Sequence, residues 1–135
     1  MRQLRTRRND GGWTLVELLI VITLIMILAS LALTQYRNSI TSTKEAAMKS
    51  DLFLMRDAID QYYADKGKYP ESLQTLVSEH YLRSIPVDPF TRSADTWQVE
   101  MAQPDPGAVS ASTGVYNIRS GSDGTALEGG RHADW

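Results

Sequence analysis

The 135-residue chain has no cysteine. No disulfide can form in any compartment, and thiolate metal sites and cysteine nucleophiles are excluded. Histidine is nearly as scarce, with only His80 and His132. Glu79 and His80 are adjacent on a segment that reads as helix, so their side chains leave on different faces. Such a histidine suits a helix surface better than the role of general base. No serine lies in a Gly-x-Ser-x-Gly turn. Asp88 stands between Pro86 and Pro89 and reads as a turn acceptor rather than an acid catalyst. Tyr62, Tyr63 and Tyr69 gather near a helix end and suit packing rather than a ligand platform. No constellation meets the criteria for an active site, and no enzyme is expected. Clustered basic charge is missing outside the first residues, so no nucleic-acid surface is expected. Residues 35–65 contain neither glycine nor proline, so nothing there breaks a helix.

What is present begins at the N-terminus. Arg2, Arg5, Arg7 and Arg8 stand against one acid, Asp10. The charge stops at Gly11-Gly12, and an apolar run follows over residues 13–33. About 21 residues at ~1.5 Å each cross a hydrocarbon core of roughly 30 Å. The run holds one charge, Glu17, and a carboxylate in an apolar span is a functional hypothesis by default. The basic flank places the N-terminus in the cytoplasm by the positive-inside rule. Beyond Gly12 the chain has ten basic and fifteen acidic residues, a net of about −5. That acidic body is expected across the membrane.

The order basic leader, Gly12, Trp13-Thr14-Leu15-Val16-Glu17, apolar span resembles the class III signal of type IV pilins and type II secretion pseudopilins. The resemblance implies a cut between Gly12 and Trp13 by a prepilin peptidase, methylation of the new Trp13 amine, and an assembly role for Glu17, the fifth mature residue. Most members carry Phe where this chain has Trp13. Two other readings explain less. A secretory signal peptide cut near Ser30-Leu31-Ala32 would have a shorter apolar region, and such a region rarely opens with Thr and Glu. A plain membrane anchor fits the length but gives no reason for Glu17 or for the Gly12 junction.

Helix is expected to continue past the apolar run. Met48, Leu52, Met55, Ile59 and Tyr62 recur at spacings of four and three, the one-sided pattern of an amphipathic helix. Gly67 is its stop signal. The stripe reads as core. A second helix is expected from Pro70, with Leu73, Leu76, Val77 and Tyr81 on one face. The prolines at 86 and 89 fix an extended turn. Residues 97–101 alternate as a half-buried strand and residues 115–119 read as a second. Residues 103–114 read as a loop, residues 120–124 as a turn, and the Gly-rich tail as irregular. The fold class is α+β: a long N-terminal helix with a short helix and a small antiparallel sheet on its distal half. The divisions are a leader at 1–12, an apolar half-helix at 13–34 and a soluble domain at 35–135.

Later motifs narrow the resemblance. Tyr69-Pro70, then Ile85-Pro86-Val87-Asp88-Pro89-Phe90, then Gly121-Ser122-Asp123-Gly124, and Trp135 look like the major pseudopilin of type II secretion. Phe90 and Thr91 stand where that family has Trp and Gly. The resemblance implies a pilin-like filament subunit for protein export. Its partners would be copies of itself, minor pseudopilins, an inner-membrane assembly platform and the peptidase. It would reside in the inner membrane, then in a periplasmic or extracellular filament. A type IV pilin for adhesion, motility or DNA uptake is the alternative, and a membrane-anchored periplasmic enzyme or binding domain a more distant one. The family also holds Ca²⁺ in its C-terminal loop. Asp123 falls at the first acidic ligand, but the next two positions are Gly130 and Arg131. Glu128 and Asp134 remain as substitutes if the loop runs differently, and Asp123-Gly124 is otherwise a tight turn. Weak or absent calcium binding is expected, and no other cofactor.

Overall fold

A computed structural model describes residues 11–103 and 113–135. Helix α1 runs Gly11–Lys66 and α2 runs Leu73–Ser78; strands β1, Gln98–Met101, and β2, Val115–Arg119, follow, and a 3-10 turn spans His132–Asp134. This is the α+β, pilin-like element order expected. Most of the loop expected at residues 103–114 lies outside the described residues. The chain divides into two compact units, one to Ser39 and one over Ile40–Trp135.

In the second unit the stripe on α1 is the core. Met48, Leu52, Met55, Ile59 and Tyr62 are all buried, packed with Leu73, Leu76, Leu82, Trp97, Val115 and Ile118. Apolar side chains at a helical period remove one face of α1 from water, and this burial rather than propensity holds the helix. Gly67 ends it. Its N–H reaches Tyr63 O at 2.8 Å, and its φ of +67° is one that a residue with a Cβ rarely adopts.

Helix α2 is shorter than the periodicity suggests. Leu73 and Leu76 are buried as expected, but the helix stops at Ser78. His80 takes φ +66°. The Tyr81 N–H then bonds Leu76 O at 2.9 Å and the His80 N–H bonds Val77 O at 3.2 Å, a Schellman closure. Glu79 and His80 are therefore not consecutive helical residues. Tyr81 leaves the helix and donates its hydroxyl to Asp65 on α1.

Strands β1 and β2 pair antiparallel, Gln98 with Arg119, Val99 with Ile118 and Glu100 with Asn117. The register slips before Met101, which pairs with Val115, so Tyr116 is the extra residue. Strand β2 buries Val115 and Ile118. Strand β1 departs from the half-buried expectation: Trp97, just before it, is buried, while Val99 and Met101 are exposed along an open groove. Tyr69 joins helix to sheet, stacking on Tyr63 and meeting Tyr116 edge-on.

Asp88 is fully buried and acts as the turn acceptor expected of it. Its Oδ1 accepts from the Phe90 and Thr91 N–H groups, and its Oδ2 from Ser120 Oγ at 2.8 Å. Trp97 Nε1 donates to Pro86 O at 2.8 Å and fixes the other side of the same turn.

Candidate functional site

The first candidate site is the start of α1. The basic leader residues Arg2, Arg5, Arg7 and Arg8 lie outside the described residues. Gly11 and Gly12 already belong to the helix. Trp13 is 77% exposed, and Glu17 follows four residues later on the same face. Every residue from 13 to 40 is exposed. A helix that presents Leu, Ile and Val on all sides matches lipid or other apolar helices, not water. Its polar side chains fit that setting. The hydroxyls of Thr23, Ser30 and Thr34 each donate to a carbonyl four residues back. They are thereby satisfied within the helix. Among the described residues Glu17 has no ionic partner.

The second candidate is the C-terminal loop. Asp123 is exposed, and its Oδ1 lies 3.1 Å from Arg131 Nη2. Glu128 and Asp134 are also exposed. Among the described residues no three His, Asp or Glu side chains come together as a metal site. The residues present do not fit a cation that wants six to eight oxygens, several of them carboxylate.

A different polar cluster lies beneath this loop. Glu45 on α1 is only 7% exposed, and His132 only 2%. Glu45 Oε1 accepts from Leu127 N–H at 2.9 Å and lies 3.2 Å from His132 Nε2. His132 Nδ1 is 3.3 Å from Ser122 Oγ. A carboxylate only accepts, so Nε2 carries a hydrogen; a neutral ring then takes the Ser122 hydroxyl hydrogen on Nδ1. Burial pushes the Glu45 carboxyl up. The Leu127 N–H, His132 and the Lys49 charge together outweigh this and hold it below its usual value. The order carboxylate, imidazole, hydroxyl resembles a nucleophile relay, but its setting is structural. The rings of Phe90 and Trp135 flank His132 at 4.1 and 5.1 Å, and Ser122 Oγ also accepts the Gly124 N–H.

This cluster was not read from the sequence. Its signal was Glu45 itself, three residues before Met48 and so on the stripe that the core claims. A charge on a buried stripe needs a partner, here 87 positions away at His132.

Comparison with known proteins finds a family motif over the start of α1. The family model described as the prokaryotic N-terminal methylation motif matches residues 7–33. The type II secretion system core protein G of Pseudomonas aeruginosa is 30% identical over 100 residues, covering 62% of this chain and 70% of that protein. The protein of the same name from Klebsiella pneumoniae is 30% identical over 99 residues, covering 62% and 71%. The fimbrial protein EcpC of Eikenella corrodens is 32% identical over 86 residues, covering 60% and 56%. No solved structure matches the chain significantly. With its methylation motif at the head of an exposed apolar helix, and its likeness to core protein G across most of both chains, this chain belongs to the type II secretion core protein G family, the pseudopilins.

Proposed function

We propose that the chain is a structural subunit of a type II secretion pseudopilus. A prepilin peptidase cuts between Gly12 and Trp13 and the Trp13 amine is methylated. The subunit waits in the inner membrane with its N-terminus in the cytoplasm and residues 35–135 in the periplasm. An assembly platform then stacks copies, with minor pseudopilins, into a helical filament for protein export. The apolar half of α1 leaves the lipid only to pack against the same half of neighbouring copies. Glu17 pairs with the Trp13 amine of a neighbour, which neutralises both charges and sets the axial register.

One observation carries the reading: a helix exposed over all of residues 13–40 whose apolar run opens on Trp13 and holds one carboxylate, within the segment that matches the methylation motif. Such a surface needs a non-aqueous partner before and after assembly. The fimbrial relative supports a type IV pilin as the second reading, separated by whether the filament depends on secretion or pilus machinery. Intact-mass analysis of the membrane-extracted protein is the test. The expected mature chain starts at Trp13 and carries one added methyl group. An uncut chain, or one starting at Leu33, overturns the proposal.

A further inference from the structure

We infer that the C-terminal loop of this chain is fastened to α1 by Glu45, through Leu127 and His132, and that this fastening stands in place of the family's calcium ion. Three observations converge. First, two of the loop's would-be ligands are engaged within the protein. Asp123 is paired with Arg131, and the Gly130 carbonyl accepts the Ala126 N–H at 3.0 Å. A guanidinium on the only acidic side chain at the expected ligand positions repels a divalent cation.

Second, Glu45 holds the loop as a metal would, from one point to several. One carboxylate oxygen takes both a backbone N–H and an imidazole, in a site closed to solvent. Charge-assisted bonds of this kind are about twice as strong as neutral ones.

Third, Glu45 does not act alone. Lys49, one turn on, places Nζ 4.2 Å from the centre of the Trp135 ring. Arg56, two turns further, donates to Trp135 O and Ile118 O, both at 2.8 Å, and to Asn117 Oδ1 at 3.0 Å. One face of α1 thus carries a row of charged side chains bound to the loop, beside the apolar stripe. The Gly124 backbone lies against His132 as well. A Cβ built there would come within 2.8 Å of Nδ1, so the loop closes on the ring with no room to spare.

Hydrogen exchange on the full-length chain in detergent micelles tests this. In EDTA the amides of residues 122–135, Leu127 included, are expected to be protected, and millimolar calcium is expected to leave them unchanged. Glu45→Gln and Glu45→Ala should each speed exchange there by roughly tenfold or more, since a bond to a charged acceptor is lost. Asp123→Ala should not. Ile118 amide protection reports whether each variant keeps its fold. Loop amides that exchange freely in EDTA and become protected on adding calcium overturn the inference. So does a folded Glu45→Ala variant with wild-type loop exchange, or loss of loop protection in Asp123→Ala. Should Glu45→Ala fail to fold, the EDTA and calcium comparison and the Asp123→Ala variant still decide.

Discussion

Replacing Asp88 tests whether one buried carboxyl ties the proline turn to the end of β2. The side chain has no exposure, and it accepts three donors from two segments: the Phe90 and Thr91 N–H groups and the Ser120 hydroxyl. Ser120 Oγ in turn accepts the Ser122 N–H at 3.0 Å, so the loss would pass on to the C-terminal loop. Asp88→Ala leaves three donors without their acceptors. Each buried orphan costs about 1–3 kcal/mol. Phe90 and Thr91 are only half-buried, so water recovers part of their loss. The sum is about 3–5 kcal/mol. For a domain of roughly 100 residues that lowers Tm by roughly 15–30 °C. Asp88→Asn is the informative companion. Its carbonyl can still serve both N–H groups, while its NH₂ meets a Ser120 oxygen that must then give up its own donation. One bond is lost, at about 1–2 kcal/mol. Near-ultraviolet circular dichroism of the full chain in micelles is the assay, because it follows Trp97, whose indole holds the same turn. Equal loss in Asn and Ala, or a loss in Ala below about 1 kcal/mol, would refute the acceptor argument.

Glu17→Ala should leave the cut after Gly12 intact while lowering filament yield or Trp13 methylation. An amine left unpaired in an apolar bundle costs several kcal/mol, so the yield should fall by about tenfold or more. Filaments at wild-type yield would refute the pairing. Acid should loosen the second unit. Glu45, Glu79 and Glu100 are all held below the usual glutamate value. Their stabilising contribution is present above the unfolded value of about 4.3 and fades as the pH drops through their lower folded values. Asp51 works against this, because burial and the Asp88 charge push it up, and its protonation at low pH relieves a strain. Three groups against one predict net loss below about pH 4.3. Melting curves across that range should show it, and Glu45→Gln should flatten the acid limb.

Helix α1 was legible because its stripe repeats over five positions and its stop is a glycine with positive φ. Strand β2 was legible from its β-prone run, Val115-Tyr116-Asn117-Ile118, but that Val115 and Ile118, three apart, both enter the core depends on the extra residue Tyr116, which the sequence does not show. The end of α2 was not. The continuing spacing to Tyr81 pointed to more helix, but His80 closed the turn in a conformation usually given to glycine, and Tyr81 and Leu82 reach the core from beyond the helix. Strand β1 alternates correctly, yet alternation does not say whether a face is covered, and Val99 and Met101 are not. The start of α1 was legible as a motif because Gly12, Trp13 and Glu17 are close in sequence. The Glu45 cluster was not, because its parts are far apart and the tail around His132 shows no periodicity. Spacing from the resemblance singled out Asp123, but only the fold shows that its neighbour in space is Arg131.

The separation of Glu45 from His132 also sets a clock. Ribosomes add roughly 5–20 residues per second. The 87 residues from position 46 through His132 therefore take about 4–17 s to make. For most of that interval Met48, Leu52, Met55 and Ile59 lack their β2 partners, Val115 and Ile118, and for all of it Glu45 lacks its imidazole. An amphipathic helix whose apolar face is not yet covered is exposed hydrophobic surface of the kind that chaperones capture. Folding of the second unit is thus a late event, finished only after His132 and its loop have been made, long after the apolar run of α1.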